Sequence, residues 1–335
     1  NESAAVRNVY YASNYPGGQS AYPYLAIRFV NNAGLEDYWS YHSQSAGRAG
    51  TGSVNDYTGN PVFEVPVMGT TGERAPLDFS ITYNGYHSGT HFKDGQRGNI
   101  YGWGWQSNLS QRVDPVNEAS GTNDTEKAKF KLLAENGYKY IYLDEDGTEH
   151  YFRTDPTNPA KIIDEDGLNL EITSGGTTDE YYTIKYSDGS RKTFTGSGYL
   201  KKIYDSENNA LTLSYYGAYL TGISDGAGRT TTITRSQYGS VTDVTGPDDK
   251  NTHFNYYGGN LTSITYPDDK TVQFTYDSNN QLQKAINIDN TYVQYSYYSS
   301  SNPMVKNRVK EAAEYSAAGA IGNKTVFVVH SISKF

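Results

Sequence analysis

A unit of about 20 residues recurs along the second half of the chain. Its copies begin at Leu200, Leu220, Val241, Leu261 and Leu282, so the steps are 20, 21, 20 and 21 residues. A fixed short period indicates one supersecondary unit that cannot bury its apolar face alone and is stabilised by the next copy. The chain must therefore fold as an array of similar elements in this region.

Each unit has the pattern of a β-hairpin. In "TVQFTYD", Val272, Phe274 and Tyr276 alternate with polar residues, which is typical of a strand with one buried face. Pairs rich in Asp, Asn and Gly, which tolerate the left-handed backbone of tight turns, recur with the same period. These pairs are Asn208-Asn209, Ala227-Gly228, Asp248-Asp249, Asp268-Asp269 and Asp289-Asn290.

Other parts of the chain contain weaker copies. Hairpins are predicted over 138–152 and 182–196, each with an Asp-Gly turn, and one more is predicted over 308–329. Residues 117–136 have the one helix-like composition, although they could equally begin a strand. Because a single hairpin is marginal in water, we expect the copies to pair side by side in one antiparallel sheet.

Composition excludes several classes of protein. The net charge of -9 argues against broad binding to nucleic acid or anionic membranes. The sequence has no run of 18 apolar residues, so it predicts no transmembrane helix. The absence of cysteine excludes disulfides and thiolate metal sites, whereas 33 tyrosines suit strands with one wet and one packed face.

The repeat resembles the YD repeat of Rhs proteins, named for a Tyr-Asp pair seen here as Tyr276-Asp277. The segments "LDFSITYN" (77–84) and "GWGWQSNLSQRV" (102–113) also resemble the entry to Rhs regions. The resemblance implies an all-β fold in which hairpins form a curved, spiralling sheet, part of a hollow β-shell. It also gives Phe254, Phe274, Tyr276 and Asp277 structural roles, with Asp277 opening a turn.

The same resemblance suggests three regions. Residues 1–33 would end an upstream β domain of the DNRLRE type, 34–75 would be a linker, and 76–335 would form the repeat sheet. Complete Rhs cores are much longer, so we expect a partial shell, truncated at its C-terminal side. The chain most resembles Rhs proteins that Gram-positive bacteria secrete or attach to their cell wall.

Few residues suggest a ligand site. His87 and His91 have the four-residue spacing of paired metal ligands, but their stretch is rich in Gly and follows a strand. The acidic runs 144–146 and 164–166 could hold Ca²⁺, but each is followed by Gly, so we interpret both as hairpin turns. We therefore predict no metal and no cofactor.

Two tryptophans leave a binding role open. Trp103 and Trp105 alternate with Gly and, on one strand, would share a face that could stack on a sugar or pack in the core. No pair of carboxylates stands apart from turns as a glycosidase would need, and no serine has the nucleophile-elbow context.

The sequence thus favours a non-enzymatic shell segment on a secreted or cell-surface bacterial protein. In full-length relatives such a shell encloses a C-terminal effector used in interbacterial competition, and this effector is the expected partner. The alternative is a surface adhesin that binds glycans through exposed Tyr and Trp, and a weaker alternative is a glycosidase.

Overall fold

The structure is a computed structural model that describes residues 34–36, 38–87, 100–117, 124–299 and 307–328. The predicted end of an upstream domain, residues 1–33, lies outside this part of the chain, as does His91.

An antiparallel sheet of five strands forms first, in the order β1-β2-β3-β4-β5. We call it the N-terminal sheet. Its strands are β1 (Tyr41–Ser45), β2 (Thr51–Asn55), β3 (Pro61–Gly69), β4 (Asp78–Asn84) and β5 (Trp105–Ser107). Residues 34–75, predicted to be a linker, thus contain three strands, and β3 pairs with β4 across the predicted boundary at 76. The apolar alternation of "PVFEVPV" explains this difference, because it buries Val62, Phe63 and Val65.

The rest of the chain forms a long antiparallel ribbon from β6 to β24, which we call the ribbon. Its strands before the regular repeats are β6 (Arg112–Pro115), β7 (Tyr138–Leu143), β8 (Glu149–Thr154), β9 (Ile162–Asp164), β10 (Glu171–Ser174), β11 (Tyr182–Lys185) and β12 (Arg191–Phe194). The repeat strands are β13 (Leu200–Tyr204), β14 (Ala210–Tyr216), β15 (Tyr219–Ser224), β16 (Thr230–Arg235), β17 (Val241–Thr245), β18 (Asn251–Tyr257), β19 (Asn260–Thr265), β20 (Thr271–Tyr276), β21 (Leu282–Ile286) and β22 (Tyr292–Tyr297). The last hairpin is β23 (Val309–Tyr315) and β24 (Ile321–Val326).

The helix-like segment is helical. α1 (Asp124–Glu135) lies between β6 and β7, inside the predicted 117–136. Within the described residues, no helix combines the length and the apolar character that crossing a membrane requires.

Turn chemistry follows the predicted period. One residue of each tight turn has a positive φ: Asn208 (65°), Gly228 (81°), Asp249 (58°), Asp269 (60°) and Asn290 (65°). These are the residue types that adopt the left-handed region at least cost, so the turns set the register of the hairpins they close.

The ribbon coils over itself. Neighbouring strands pair in series from β6–β7 to β23–β24, as predicted for an all-β, spiralling sheet. Within the described residues no ladder joins β24 to β6, so the sheet is open at its ends. The first turn returns to its start at β6, where Arg112 bridges Tyr199 immediately before β13.

One apolar core joins the ribbon to the N-terminal sheet. Phe63, Phe79 and Tyr83 of the sheet belong to the same buried cluster as Phe254 and Phe274 of the ribbon. The sheet therefore fills the concave side of the ribbon, which supplies the apolar contacts that an isolated hairpin array lacks.

Candidate functional site

Aromatic rings join the inner face of the ribbon to the N-terminal sheet. Phe274 on β20 packs edge-on against Trp105 at 5.1 Å between ring centroids, and Phe254 on β18 packs against Tyr101 at 6.0 Å. Phe254 and Phe274 are 2% and 3% exposed, and β19 runs antiparallel between their strands. Residues one period apart therefore face the same side and contact successive parts of the inner sheet.

Each repeat contains a hydrogen bond between the carbonyl of its first residue and a side chain at or next to the end of its second strand. The hydroxyl of Tyr276 donates to the carbonyl of Leu261, fifteen residues earlier, at 2.7 Å. The other units have the same separation: Tyr215 to Leu200 (2.6 Å), Arg235 to Leu220 (2.8 Å), Tyr256 to Val241 (2.8 Å) and Tyr297 to Leu282 (2.6 Å). We call this contact the i, i+15 bond. It satisfies a backbone carbonyl at the start of every unit.

A β-bulge in the neighbouring strand lies opposite the tyrosine of this bond. The register of β20 against β21 shifts between Thr275 and Tyr276, so that Tyr276 lies opposite Leu282, the first residue of the next unit. The extra residue of the bulge is Gln283 on β21, so β20 keeps its alternation and Tyr276 points to the same face as Phe274. Its hydroxyl also accepts a hydrogen bond from Nε1 of Trp105 at 2.8 Å, and burial raises the pKa of Tyr276 well above its usual value.

Asp277 opens the turn that follows Tyr276. Its carboxylate accepts hydrogen bonds from the backbone N–H groups of Asn279 and Gln281, each at 2.9 Å. Asp205 and Asp225 bond the second and fourth following N–H groups in the same way. The Tyr-Asp pair thus combines a unit-to-unit contact with a turn.

The two tryptophans do not share a strand face. Trp103 lies in a turn between Gly102 (φ 98°) and Gly104 (φ 77°), whereas Trp105 begins β5 and is fully buried. The two glycines allow a backbone path that ends the alternation on which the prediction rested. A buried Trp105 cannot stack on a sugar. The N–H of Trp103 donates to the carbonyl of Gly259 in the ribbon at 3.1 Å.

The acidic run 144–146 lies in a turn, as predicted, whereas the run 164–166 begins with the last residue of β9. Both runs meet at a buried histidine, not in the solvent as expected of simple turns. His150 on β8 lies between Asp144, which follows β7, and Asp166, which follows β9. Its Nε2 is 2.9 Å from Oδ2 of Asp144, and its Nδ1 is 3.1 Å from Oδ2 of Asp166. Glu36 approaches from the N-terminal side, with Oε1 3.7 Å from Nε2 of His150. We call Glu36, Asp144, His150 and Asp166 the His150 cluster.

The charges in this region are strongly coupled. Burial opposes the charge on His150, but its hydrogen bonds to Asp144 and Asp166 raise its pKa well above the usual value. Burial and the charge of Asp144 raise the pKa of Asp146 well above its usual value. Burial, with the charge of Asp166, raises the pKa of Glu165 to about 8. The cluster places three carboxylates around one imidazole.

Among the described residues, one group of three side chains has the spacing to hold a metal ion. Single donor atoms of Glu36, Asp144 and His150 lie within 4.8 Å of one another. His87, considered with His91, is buried, and its Nε2 is 3.1 Å from the carbonyl oxygen of Gly147.

Two cavities adjoin the cluster. The larger, of about 750 Å³, lies between the N-terminal sheet and the first ribbon turn, with Thr82, Asp144 and Lys192 in its wall. The smaller, of about 260 Å³, is lined by Glu36, Tyr142, Asp144 and His150. Glu36, Asp144 and His150 thus line a cavity, although Glu36 and His150 are buried.

Sequence reasoning missed the convergence on His150. The signal was present, because the runs 144–146 and 164–166 are 20 residues apart, which is one repeat period. Side chains one period apart come to lie two strands apart in the ribbon, and His150 lies on the strand between them. The contribution of Glu36 had no such signal, because it depends on how the N-terminal segment folds back.

Comparison with known proteins identifies the repeat. The RHS Repeat family matches residues 257–291, which include β19, β20 and β21. The tRNA nuclease WapA of Bacillus subtilis is 27% identical over 185 residues, which is 54% of this chain and 6% of that protein. The tRNA3(Ser)-specific nuclease WapA of Bacillus spizizenii matches with the same identity and coverage. The chain thus spans a small part of these relatives.

Solved structures show weaker likeness. The crystal structure of TcdB2-TccC3-TEV aligns with a TM-score of 0.32 and 12% identity, over 89% of this chain and 17% of that one. The Tc holotoxin pore of Photorhabdus luminescens aligns with a TM-score of 0.32 and 13% identity, over 82% of this chain and 15% of the other.

Proposed function

We propose that this Rhs-repeat protein is a non-enzymatic shell segment of a secreted or cell-surface bacterial protein, in which it encloses or displays a C-terminal effector for interbacterial competition. The observation that carries the proposal is the serial ribbon, whose concave face closes on the N-terminal sheet through one apolar core. Its described hydrogen bonds and ring contacts are repeated from unit to unit, as a structural wall requires. The match to WapA nucleases suggests what class of effector a longer chain would carry.

The test uses the longer protein with its own C-terminal region. A shell predicts that added protease leaves the effector intact, and that deletion of residues 76–335 exposes it to cleavage. Equal protection of the effector with and without these residues would contradict the proposal.

An adhesin is the second candidate, because three tyrosines are exposed at the turns that join successive repeat units. Tyr216, Tyr238 and Tyr257 are 80%, 87% and 83% exposed. Aromatic faces at such positions could stack on sugars. Binding to a glycan array that is lost when these three are changed to alanine would favour the adhesin, whereas an array without binding favours the shell.

The weaker alternative is a glycosidase. We expect purified protein to remain at buffer level in screens for glycosidase, protease and esterase activity. Turnover that a single Asp or Glu substitution abolishes would show an enzyme.

A further inference from the structure

We propose that Glu36, Asp144 and His150 bind one divalent transition-metal ion of the Zn²⁺ class, which ties the segment 34–36 to the first strands of the ribbon. This site is independent of the shell function, since it concerns how the N-terminal side is fastened.

The donor atoms have the spacing of a coordination sphere. Ligands about 2.0–2.2 Å from a tetrahedral ion lie roughly 3.3–3.6 Å from each other. The distances from Nε2 of His150 to Asp144 (2.9 Å) and to Glu36 (3.7 Å) lie on either side of this range. Small side chain movements would therefore complete the set.

The surroundings of His150 match those of a metal ligand. A ligating imidazole usually gives its other N–H to a carboxylate, which fixes the ring and the tautomer. Here Nδ1 of His150 faces Asp166, whose side chain is 2% exposed. The ring of Tyr142 stacks on the imidazole at 5.5 Å between centroids. These contacts leave Nε2 directed at Asp144 and Glu36.

The segment that carries Glu36 is held in place by its own backbone. Leu35 donates its N–H to Oδ2 of Asp146 at 2.6 Å, and Glu36 donates its N–H to the hydroxyl of Tyr41 at 2.8 Å. These two hydrogen bonds, one to the turn after β7 and one to β1, hold Glu36 beside His150. An ion at its carboxylate would cross-link β7 and β8 to the chain before β1.

Charge and ligand type favour a transition metal over Ca²⁺. The His150 cluster has three carboxylates for one imidazole, and a buried excess of negative charge is costly unless a cation compensates it. Ca²⁺ takes six to eight oxygen ligands, whereas one nitrogen and two carboxylates suit Zn²⁺ or Mn²⁺. The adjoining cavity of about 260 Å³ has room for water as a further ligand.

The experiment titrates zinc chloride into the whole chain, stripped with EDTA and desalted, by isothermal titration calorimetry. We expect one ion per chain and binding at least about 10-fold weaker for Glu36→Gln, because losing a ligand should cost no less than losing a residue that orients one. Glu145→Gln is the matched control, because it removes the same charge beside Asp144 from a side chain that is 54% exposed and paired with Lys192. The control should bind zinc like the wild type.

A second readout is direct and needs no variant. In nitrogen-15 NMR of the wild type, zinc should shift Nε2 of His150 while Nδ1 stays hydrogen-bonded. Wild-type protein that binds no zinc, a His150 signal that zinc leaves unchanged, or Glu36→Gln protein that folds and binds zinc like wild type would overturn the proposal.

Discussion

The hydroxyl of Tyr276 lies 2.7 Å from the carbonyl oxygen of Leu261, fifteen residues earlier, and donates a hydrogen bond to it. The same side chain lies opposite Leu282 in the ladder between β20 and β21. One tyrosine therefore contacts the first residue of its own unit and the first residue of the next. Four of the five units use tyrosine for this bond, and the unit that begins at Leu220 uses Arg235.

Removing the hydroxyl tests this contact. Tyr276→Phe keeps the ring but leaves the carbonyl of Leu261 and Nε1 of Trp105 without this partner in a buried site, which should cost about 1–3 kcal/mol of unfolding free energy. Urea denaturation measures the change. Tyr257→Phe is the control, because that side chain is 83% exposed and should change stability little. Equal stability of Tyr276→Phe and wild type would show that the bond contributes nothing.

The aromatic contact between ribbon and inner sheet should be strongly stabilising. Phe274 is 3% exposed and packs on Trp105, so Phe274→Ala should lower the free energy of unfolding by about 3–5 kcal/mol. Tyr238→Ala, at an exposed turn, should stay within about 0.5 kcal/mol. A Phe274→Ala protein that melts like its parent would refute the buried assignment.

The left-handed turn residue should accept only some replacements. Asp269 has φ 60°, so Asp269→Gly should be tolerated, whereas Asp269→Ala should be less stable than the glycine variant by about 1–2 kcal/mol. Differential scanning calorimetry of the two variants gives the comparison. The same midpoint for both would mean that the turn is not left-handed.

Stability should fall in acid through Asp225. Burial alone would raise the pKa of this carboxyl, but hydrogen bonds from Arg229, Thr70 and Ala227 outweigh it and lower the pKa below 3.8. Because the folded state prefers the ionised form, the contribution is present above the ordinary pKa and is lost as the pH falls through the lowered value.

The variant Asp225→Asn isolates this effect. Near pH 7 it should be less stable than wild type by about 1.5–3 kcal/mol, the range for hydrogen bonds to a charged group. The difference should shrink below pH about 4. A constant difference from pH 7 to pH 3 would show that ionisation of Asp225 does not contribute.

The repeat sheet was predictable because local pattern determines it. The period, the hairpin turns at Asp249 and Asp269 and the buried position of Phe274 all follow from alternation and turn chemistry within a 20-residue window. The last hairpin was predictable on the same grounds, whereas the sequence left residues 117–136 open between a helix and a strand.

The rest depends on contacts between distant segments. The bulge at Tyr276 and the i, i+15 bond require knowledge of which carbonyls lie near the hydroxyl. The burial of Trp105 and the approach of Glu36 to His150 depend on the N-terminal sheet folding into the concave side of the ribbon. No short-range pattern encodes that docking.

The most direct test of a continuous ribbon measures the distance between two residues on strands that lie four positions apart in it. The chain has no cysteine, so Tyr216→Cys with Tyr257→Cys places spin labels only at the ends of β14 and β18. Four steps between neighbouring strands, each about 4.8 Å, predict a separation of about 20 Å by pulsed electron paramagnetic resonance. A sharp distance near that value supports a continuous ribbon, whereas a mean beyond about 30 Å would place the units on separate sheets and contradict it.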